Sequence, residues 1–196
     1  MANHIELAQI VATPVTDYSA FRGSLRSGDL FFASGNYPIS KIIRTFTKSP
    51  WSHVGLIFCL KEIDRVLLLE SVEDTGVRFA PVSKYLEDYK NGAPYDGYLV
   101  FARMNREAPG WIVKMADFGC DELTRPYDEA EIAEIAARIA LGIGKKQDGN
   151  HAYICSELVA ACFKAAGYEF ATKTPGFVTP EDIWVDTNVE LLVRVQ

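Results

Sequence analysis

One cysteine of the chain, Cys155, stands where a thiol could act as a nucleophile. It lies at the start of the segment ICSELVAACFKAAG (154–167), whose composition and final glycine are typical of an α-helix. Backbone N–H groups and the positive end of the helix dipole meet at such a start, and both favour a thiolate. The same N–H groups could bind a developing oxyanion. We therefore predict a nucleophile at Cys155. The simpler interpretation is a buried helix cysteine, which fits Cys162 in mid-segment.

A thiolate nucleophile needs a base that takes up its proton and later returns it to the leaving group. The three histidines of the chain are His4, His53 and His151. His4 lies close to the first residue and His151 lies in a loop, whereas His53 heads the apolar run SHVGLIFCL (52–60), which is typical of a buried strand. Because a strand fixes its backbone, His53 is the histidine whose ring can be aimed. The alternative is a strand-end histidine that binds only backbone.

The base in turn needs an acceptor that orients its second ring nitrogen. Glu70 is the one acidic residue of the apolar run VLLLESV (66–72), where a carboxylate is unfavourable unless it is paired. The polar turn KEIDR (61–65) joins this run to the strand of His53, so a hairpin places the head of one strand beside the tail of the other. We therefore expect His53 and Glu70 to be cross-strand neighbours, although Glu70 could also face water at a strand end.

The surrounding sequence predicts the elements that position these three residues. Further strands are indicated by GDLFFAS (28–34), VRFAPV (77–82), GYLVFARM (97–104) and ELLVRV (190–195). Helices are indicated over 39–46, 83–90 and 128–142, and TPEDI (179–183) is typical of a turn that enters a short helix. Residues 1–27 are expected to form an irregular lead-in, and 105–125, with Trp111 and Cys120, an irregular insertion. Consecutive strands followed by helices predict an α+β fold with a mostly antiparallel sheet.

Composition sets the broad class of the protein. With 196 residues, of which 48% are hydrophobic, the chain fits one globular domain over 1–196. A net charge of -6 argues against nucleic acid as a partner. The apolar runs are too short to span a bilayer and no secretory signal is seen, so a cytoplasmic protein is expected. The four cysteines include no C-x-x-C pair and lack zinc-ligand spacing, which predicts no metal site. Cys155 and Cys162 would lie two turns apart on a helix, too far for a disulfide, so reduced thiols are expected.

Taken in order, the segments SGDLFFAS, SPWSHVGLIF, LLLESV, AYICSELVAACF and TPEDI resemble the permuted branch of the NlpC/P60 papain-like superfamily, the YiiX/YebB-like cysteine peptidases or amidases. The resemblance covers about Gly28 to Ile183. It implies a papain-like core in which a helix that carries the cysteine packs on an antiparallel sheet or small barrel that carries the histidine.

By the resemblance, Cys155 is the nucleophile, His53 the base and Glu70 the third member of a triad, and no cofactor is needed. Tyr37, in the loop after GDLFFASGN, is expected to be a pocket or oxyanion-hole tyrosine. The implied substrate is a peptide or amino-acid amide, with cell-wall peptides among the candidates.

Two other functions remain open at this point. Acyltransferases or phospholipases similar to lecithin:retinol acyltransferase share the superfamily and use the same pair, so a lipid substrate is one alternative. A binding module that kept the fold without catalysis is the other. The sequence leaves the oligomeric state undetermined.

Overall fold

The computed structural model describes residues 7–127, 153–173 and 176–196. Their strands are β1 Leu30–Gly35, β2 His53–Leu60, β3 Arg65–Val72, β4 Gly76–Pro81, β5 Gly97–Met104 and β6 Val189–Arg194. Their helices are α1 Leu7–Ala12, α2 Tyr18–Phe21, α3 Pro38–Thr47, α4 Ser83–Glu87, α5 Trp111–Asp121, α6 Cys155–Ala165 and α7 Pro180–Trp184. The helix predicted over 128–142, together with His4 and His151, lies outside the described residues.

The six strands form one antiparallel sheet in the order β4-β3-β2-β1-β5-β6. Every predicted strand is present, and the α+β class with an antiparallel sheet is confirmed. The sheet is open, because its edge strands β4 and β6 do not pair with each other. Of the two expected arrangements, an antiparallel sheet or a small barrel, the structure therefore has the sheet. All six residues of β1 are buried, as its place between two other strands requires.

The two faces of the sheet carry two separate hydrophobic cores. One face packs against α5 and α6, and its core includes Val54, Leu56, Leu69, Leu158 and Phe163. We call this side the helical layer. The other face carries a second core that includes Ile57, Leu68, Phe101, Tyr85 and Tyr95. We call this side the tyrosine layer. Side chains alternate between the two layers along each strand.

The Gly-Asp-Leu turn before β1 has a structural role. Gly28 adopts a φ of +93°, which favours glycine, and Asp29 is 2% exposed. The Asp29 carboxylate accepts hydrogen bonds from Arg103 of β5 at 2.7 and 2.8 Å, and from the backbone N–H of Arg26 at 2.8 Å. The carboxylate therefore ties the start of β1 to its neighbour, and as a buried charge it is fully paired.

Two predictions about irregular regions are wrong. Within 1–27, the described part forms α1, α2 and a short 3₁₀ turn, and Ile10 is completely buried in the helical layer. Within 105–125, α5 packs against α6 through buried Trp111 and Met115, which recur at helical spacing. Among the described residues, no helix is both long enough and apolar enough to cross a bilayer.

Candidate active site

The hairpin of β2 and β3 brings His53 and Glu70 together, as their spacing predicts. The pairing ends at Leu56 opposite Leu69, so both His53 and Glu70 point to the tyrosine layer, diagonal to one another. The His53 Nε2 lies 2.8 Å from Glu70 Oε2. Gly55 allows β2 to lie close to β3 here, because a Cβ there would lie 2.7 Å from a Leu68 methyl group and 2.9 Å from the Leu69 carbonyl oxygen.

Glu70 is fully buried, and its carboxylate is held by three donors. Arg78, directly opposite on β4, donates to Oε1 at 3.0 Å. The Tyr85 hydroxyl donates to Oε2 at 2.5 Å, the same oxygen that His53 contacts. Burial raises the pKa of Glu70, but the hydrogen bond and charge of His53, together with Arg78 and Tyr85, outweigh burial and lower it. The carboxylate therefore stays ionised beside the imidazole.

Burial and the Glu70 charge also raise the pKa of Tyr85 well above its usual value. Tyr85 consequently remains a hydrogen-bond donor at any ordinary pH. Its ring stacks on the His53 ring, with centroids 6.3 Å apart and planes inclined by 18°. Tyr85 thus contacts both members of the pair, one through its hydroxyl and the other through its ring.

Cys155 is the first residue of α6 and is 3% exposed. The segment before it is fixed by Ser71 of β3, whose hydroxyl donates to the Tyr153 carbonyl oxygen at 2.7 Å. After it, the Ser156 hydroxyl donates to the Val178 carbonyl oxygen at 2.8 Å. In the first turn of a helix the backbone N–H groups have no intrahelical acceptor. The N–H of Cys155 is in that position.

The Cys155 side chain lies close enough to the His53 ring to affect its pKa. Because Nε2 is engaged by Glu70, Nδ1 is the ring nitrogen left to face the sulfur. Burial lowers the pKa of His53, but the hydrogen bond and charge of Cys155, followed by those of Glu70, outweigh it and raise the pKa to about 10. The ring is therefore held as an imidazolium beside the Glu70 carboxylate.

The three residues come from both sides of the sheet. His53 and Glu70 belong to the tyrosine layer, whereas α6 and Cys155 belong to the helical layer. They meet because His53 is the first residue of β2 and Cys155 the first residue of α6, so both stand at an end of their element. The side chain of His53 keeps 13% of its surface exposed, which leaves the ring accessible from a pocket.

This pocket, with a volume of about 300 Å³, is lined by His53 and by residues of α3, of the β3–β4 turn and of the segment around α4. Tyr37 lines it, and its ring packs against Tyr89 and Tyr95 with centroids 5.8 and 5.2 Å apart. The Tyr37 hydroxyl accepts a hydrogen bond from the Asp96 N–H at 3.1 Å. A role for Tyr37 at an oxyanion stays a prediction.

The sequence reasoning missed the two residues that hold Glu70. Arg78 could have been found, because the turn EDTG (73–76) closes the hairpin of β3 and β4, and counting back from it places Arg78 opposite Glu70. Tyr85 gives no comparable signal, since it lies on a short helix after β4 and its contact depends on where that helix packs.

The buried carboxylate makes stability depend on pH. A carboxyl group whose pKa is lowered by folding stabilises the fold above its unfolded pKa, here 4.5, and loses that contribution as the pH falls through the folded pKa. We expect the wild type to have a larger free energy of unfolding than Glu70→Gln at pH 7. Below about pH 4.5 this difference should shrink by up to about 1.4 kcal/mol for each pH unit. Urea unfolding from pH 7 to pH 3 measures this, and a constant difference would contradict it.

The fold and site together define a permuted papain-like protein. Over residues 24–175 the chain matches the model of the permuted papain-like amidase enzymes of the YaeF/YiiX type, the C92 family. Because this match spans most of the chain, the protein belongs to that family of cysteine peptidases and amidases. A comparison with curated proteins finds no match.

A solved structure shows the same fold. The protein YiiX from Escherichia coli O157:H7, described as a metalloprotein, superimposes with a TM-score of 0.62 at 16% identity, covering 86% of this chain and 97% of its own. In the described part of the present chain, no three His, Cys, Asp or Glu residues lie together so that they could hold a metal ion.

Proposed function

We propose that the protein is a cysteine hydrolase that cleaves an amide bond in a peptide or amino-acid-derived substrate, with cell-wall peptides among the candidates. The observation that carries the proposal is the position of His53, whose Nε2 lies 2.8 Å from the buried Glu70 carboxylate and whose pKa is raised by the nearby Cys155 side chain. This is the order of nucleophile, base and orienting acid that thiol catalysis requires.

In the proposed reaction, the Cys155 sulfur attacks the amide carbon, and the carbonyl electron pair moves onto the oxygen. The N–H of Cys155 donates a hydrogen bond to this oxyanion. As the carbon–nitrogen bond breaks, His53 gives its proton to the leaving amine. Water then attacks the thioester while His53 takes up one of its protons, which releases the acid and regenerates the thiolate.

Glu70 holds the His53 ring in place and stabilises its charged form. Arg78 and Tyr85 act on Glu70 by keeping the carboxylate ionised and oriented. These two residues support the base through Glu70 and have no direct part in the bond changes.

The wall of the pocket combines polar and apolar groups. Its lining includes the hydroxyls of Ser40 and Ser52, several phenol groups and the charged side chains of Asp74 and Lys90. Ile39, Ile43 and Val72, together with the tyrosine rings, supply the apolar part of the wall, whereas the charged groups of Asp74 and Lys90 are unfavourable contacts for an alkyl chain.

A substrate screen tests the proposed function. We expect the wild type to release amine from short peptides or aminoacyl p-nitroanilides and to release no fatty acid from phospholipid vesicles, with Cys155→Ala as the blank. Hydrolysis of lipid esters alone would instead support the lipid-directed alternative. Activity on neither class, with peptide binding retained, would support a binding module.

A further inference from the structure

Lys90 places a positive charge in the wall of the same pocket that His53 lines. Its backbone is fixed by a tight turn over 90–93, in which the Lys90 N–H donates to the Ala93 carbonyl oxygen and the Ala93 N–H donates back at 3.0 Å. Asn91 and Gly92 occupy the two central positions with φ of +55° and +75°, the conformation of a type I′ turn. The lysine therefore projects from a defined point of the rim.

The ammonium group of Lys90 lies over the aromatic wall of the pocket. Its Nζ is 5.4 Å from the Tyr37 ring centroid and 5.7 Å from that of Tyr89, within the range of a cation–π contact. None of the salt bridges among the described residues includes Lys90. Its charge is thus directed toward the pocket without being neutralised by a described carboxylate.

We propose that Lys90 binds a carboxylate of the substrate, so that the enzyme selects short peptides or amino-acid amides that carry a free carboxylate. This inference rests on the proposed amide hydrolysis. The Tyr37 hydroxyl accepts from Asp96 and so keeps its own hydrogen to donate to the same carboxylate. An ammonium and a phenol hydroxyl together form a donor pair suited to a carboxylate.

The distance from the reacting groups suits a short substrate. The His53 ring contacts Tyr85 at 6.3 Å, Tyr85 contacts Tyr89 at 4.7 Å, and Lys90 Nζ lies 5.7 Å from the Tyr89 centroid. An extended peptide spans about 3.5 Å per residue, so a few residues connect the reacting carbonyl to Lys90.

Two acidic residues of the pocket wall limit where a negatively charged substrate group can bind. Glu73 and Asp74 line the pocket from the turn between β3 and β4, on a different element from Lys90. The Asp74 carboxylate disfavours an anion on its own side of the pocket, so a substrate carboxylate is favoured near Lys90. A neutral acyl chain would gain nothing from either group.

Matched peptides test this inference. Peptides of two to five residues are prepared with either a free C-terminal carboxylate or a C-terminal amide, and kcat/KM is measured for each pair. We expect wild type to prefer the carboxylate form by about fivefold, the size of a partly exposed ion pair. Lys90→Met should abolish the preference, Lys90→Arg should retain most of it, and added salt should weaken it.

Lys84→Met is the matched control, because Lys84 is an exposed lysine of α4 that does not line the pocket. It should keep the wild-type preference. Equal kcat/KM for both members of every pair in wild type, or an unchanged preference in Lys90→Met, would overturn the inference.

A binding measurement separates this inference from the proposed function. Calorimetric titration of Cys155→Ala with the same peptides reports affinity without turnover. Tighter binding of the carboxylate form, lost in Cys155→Ala/Lys90→Met, supports the Lys90 site even if wild type cleaves none of the peptides, a result that would reject only the amidase proposal. Equal binding of both forms would reject the Lys90 site.

Discussion

Replacing Cys155 by alanine is expected to lower kcat/KM for amide hydrolysis by about 10⁴-fold or more and to leave the fold intact. The sulfur forms the covalent bond to the substrate, and no other described thiol contacts His53. Alanine fits at a helix start of 3% exposure without steric conflict. Steady-state kinetics on the best peptide from the screen measures the loss, and circular dichroism checks the fold.

Two variants serve as controls for this result. Cys120→Ala removes an exposed thiol of α5 and should keep full activity, whereas Cys162→Ala removes a buried thiol of α6 and should lower stability more than activity. Iodoacetamide gives a second measurement in the Cys120→Ala background. At pH 6 it should modify Cys155 before Cys59 and Cys162, since burial raises the pKa of both other thiols. Full activity of Cys155→Ala would contradict the proposed nucleophile.

Replacing Glu70 by glutamine is expected to lower kcat/KM by about 10³-fold and to shift the alkaline limb of its pH profile downward. The limb reports loss of the His53 proton, and the pKa of His53 is raised to about 10 in wild type. Without the Glu70 charge the imidazolium is less stable, so its pKa falls and activity is lost at a lower pH. We expect a shift of about one to two pH units.

The pH profile distinguishes this effect from a loss of structure. Glu70→Gln also leaves Arg78 without its partner, which should reduce the free energy of unfolding by about 3 kcal/mol. Instability alone would lower activity at every pH without moving the limb. Glu62→Gln, an equal charge change in the exposed turn between β2 and β3, should leave the limb unchanged. An unmoved limb in Glu70→Gln would reject its role beside His53.

The part of the candidate site that lies close together in the chain could be predicted from the sequence. His53 and Glu70 are only 17 positions apart and lie on two strands joined by a short turn, so the hairpin fixed their proximity. The presence of α6 was equally clear from its composition and from the glycine that follows it. In both cases local pattern and final structure depend on the same short stretch of chain.

The remaining features depend on contacts that no local pattern encodes. Nothing near Cys155 in sequence indicates that it meets His53, and only the family resemblance suggested it. The contact of Tyr85 with Glu70 requires α4 to fold back over the sheet. The helix α5 was missed although Trp111 and Met115 have helical spacing.

The site is divided between the helical and tyrosine layers, and this division affects what single substitutions in each layer can do to the site. Leu158 lies on the buried face of α6. Substitutions there move the nucleophile without altering the charges around Glu70. Substitutions around Tyr85 alter the proton affinity of the base without moving the sulfur. Leu158 and Tyr85 lie in separate cores, so substitutions at the two positions act on the site from opposite faces of the sheet and are coupled only where Cys155 and His53 meet.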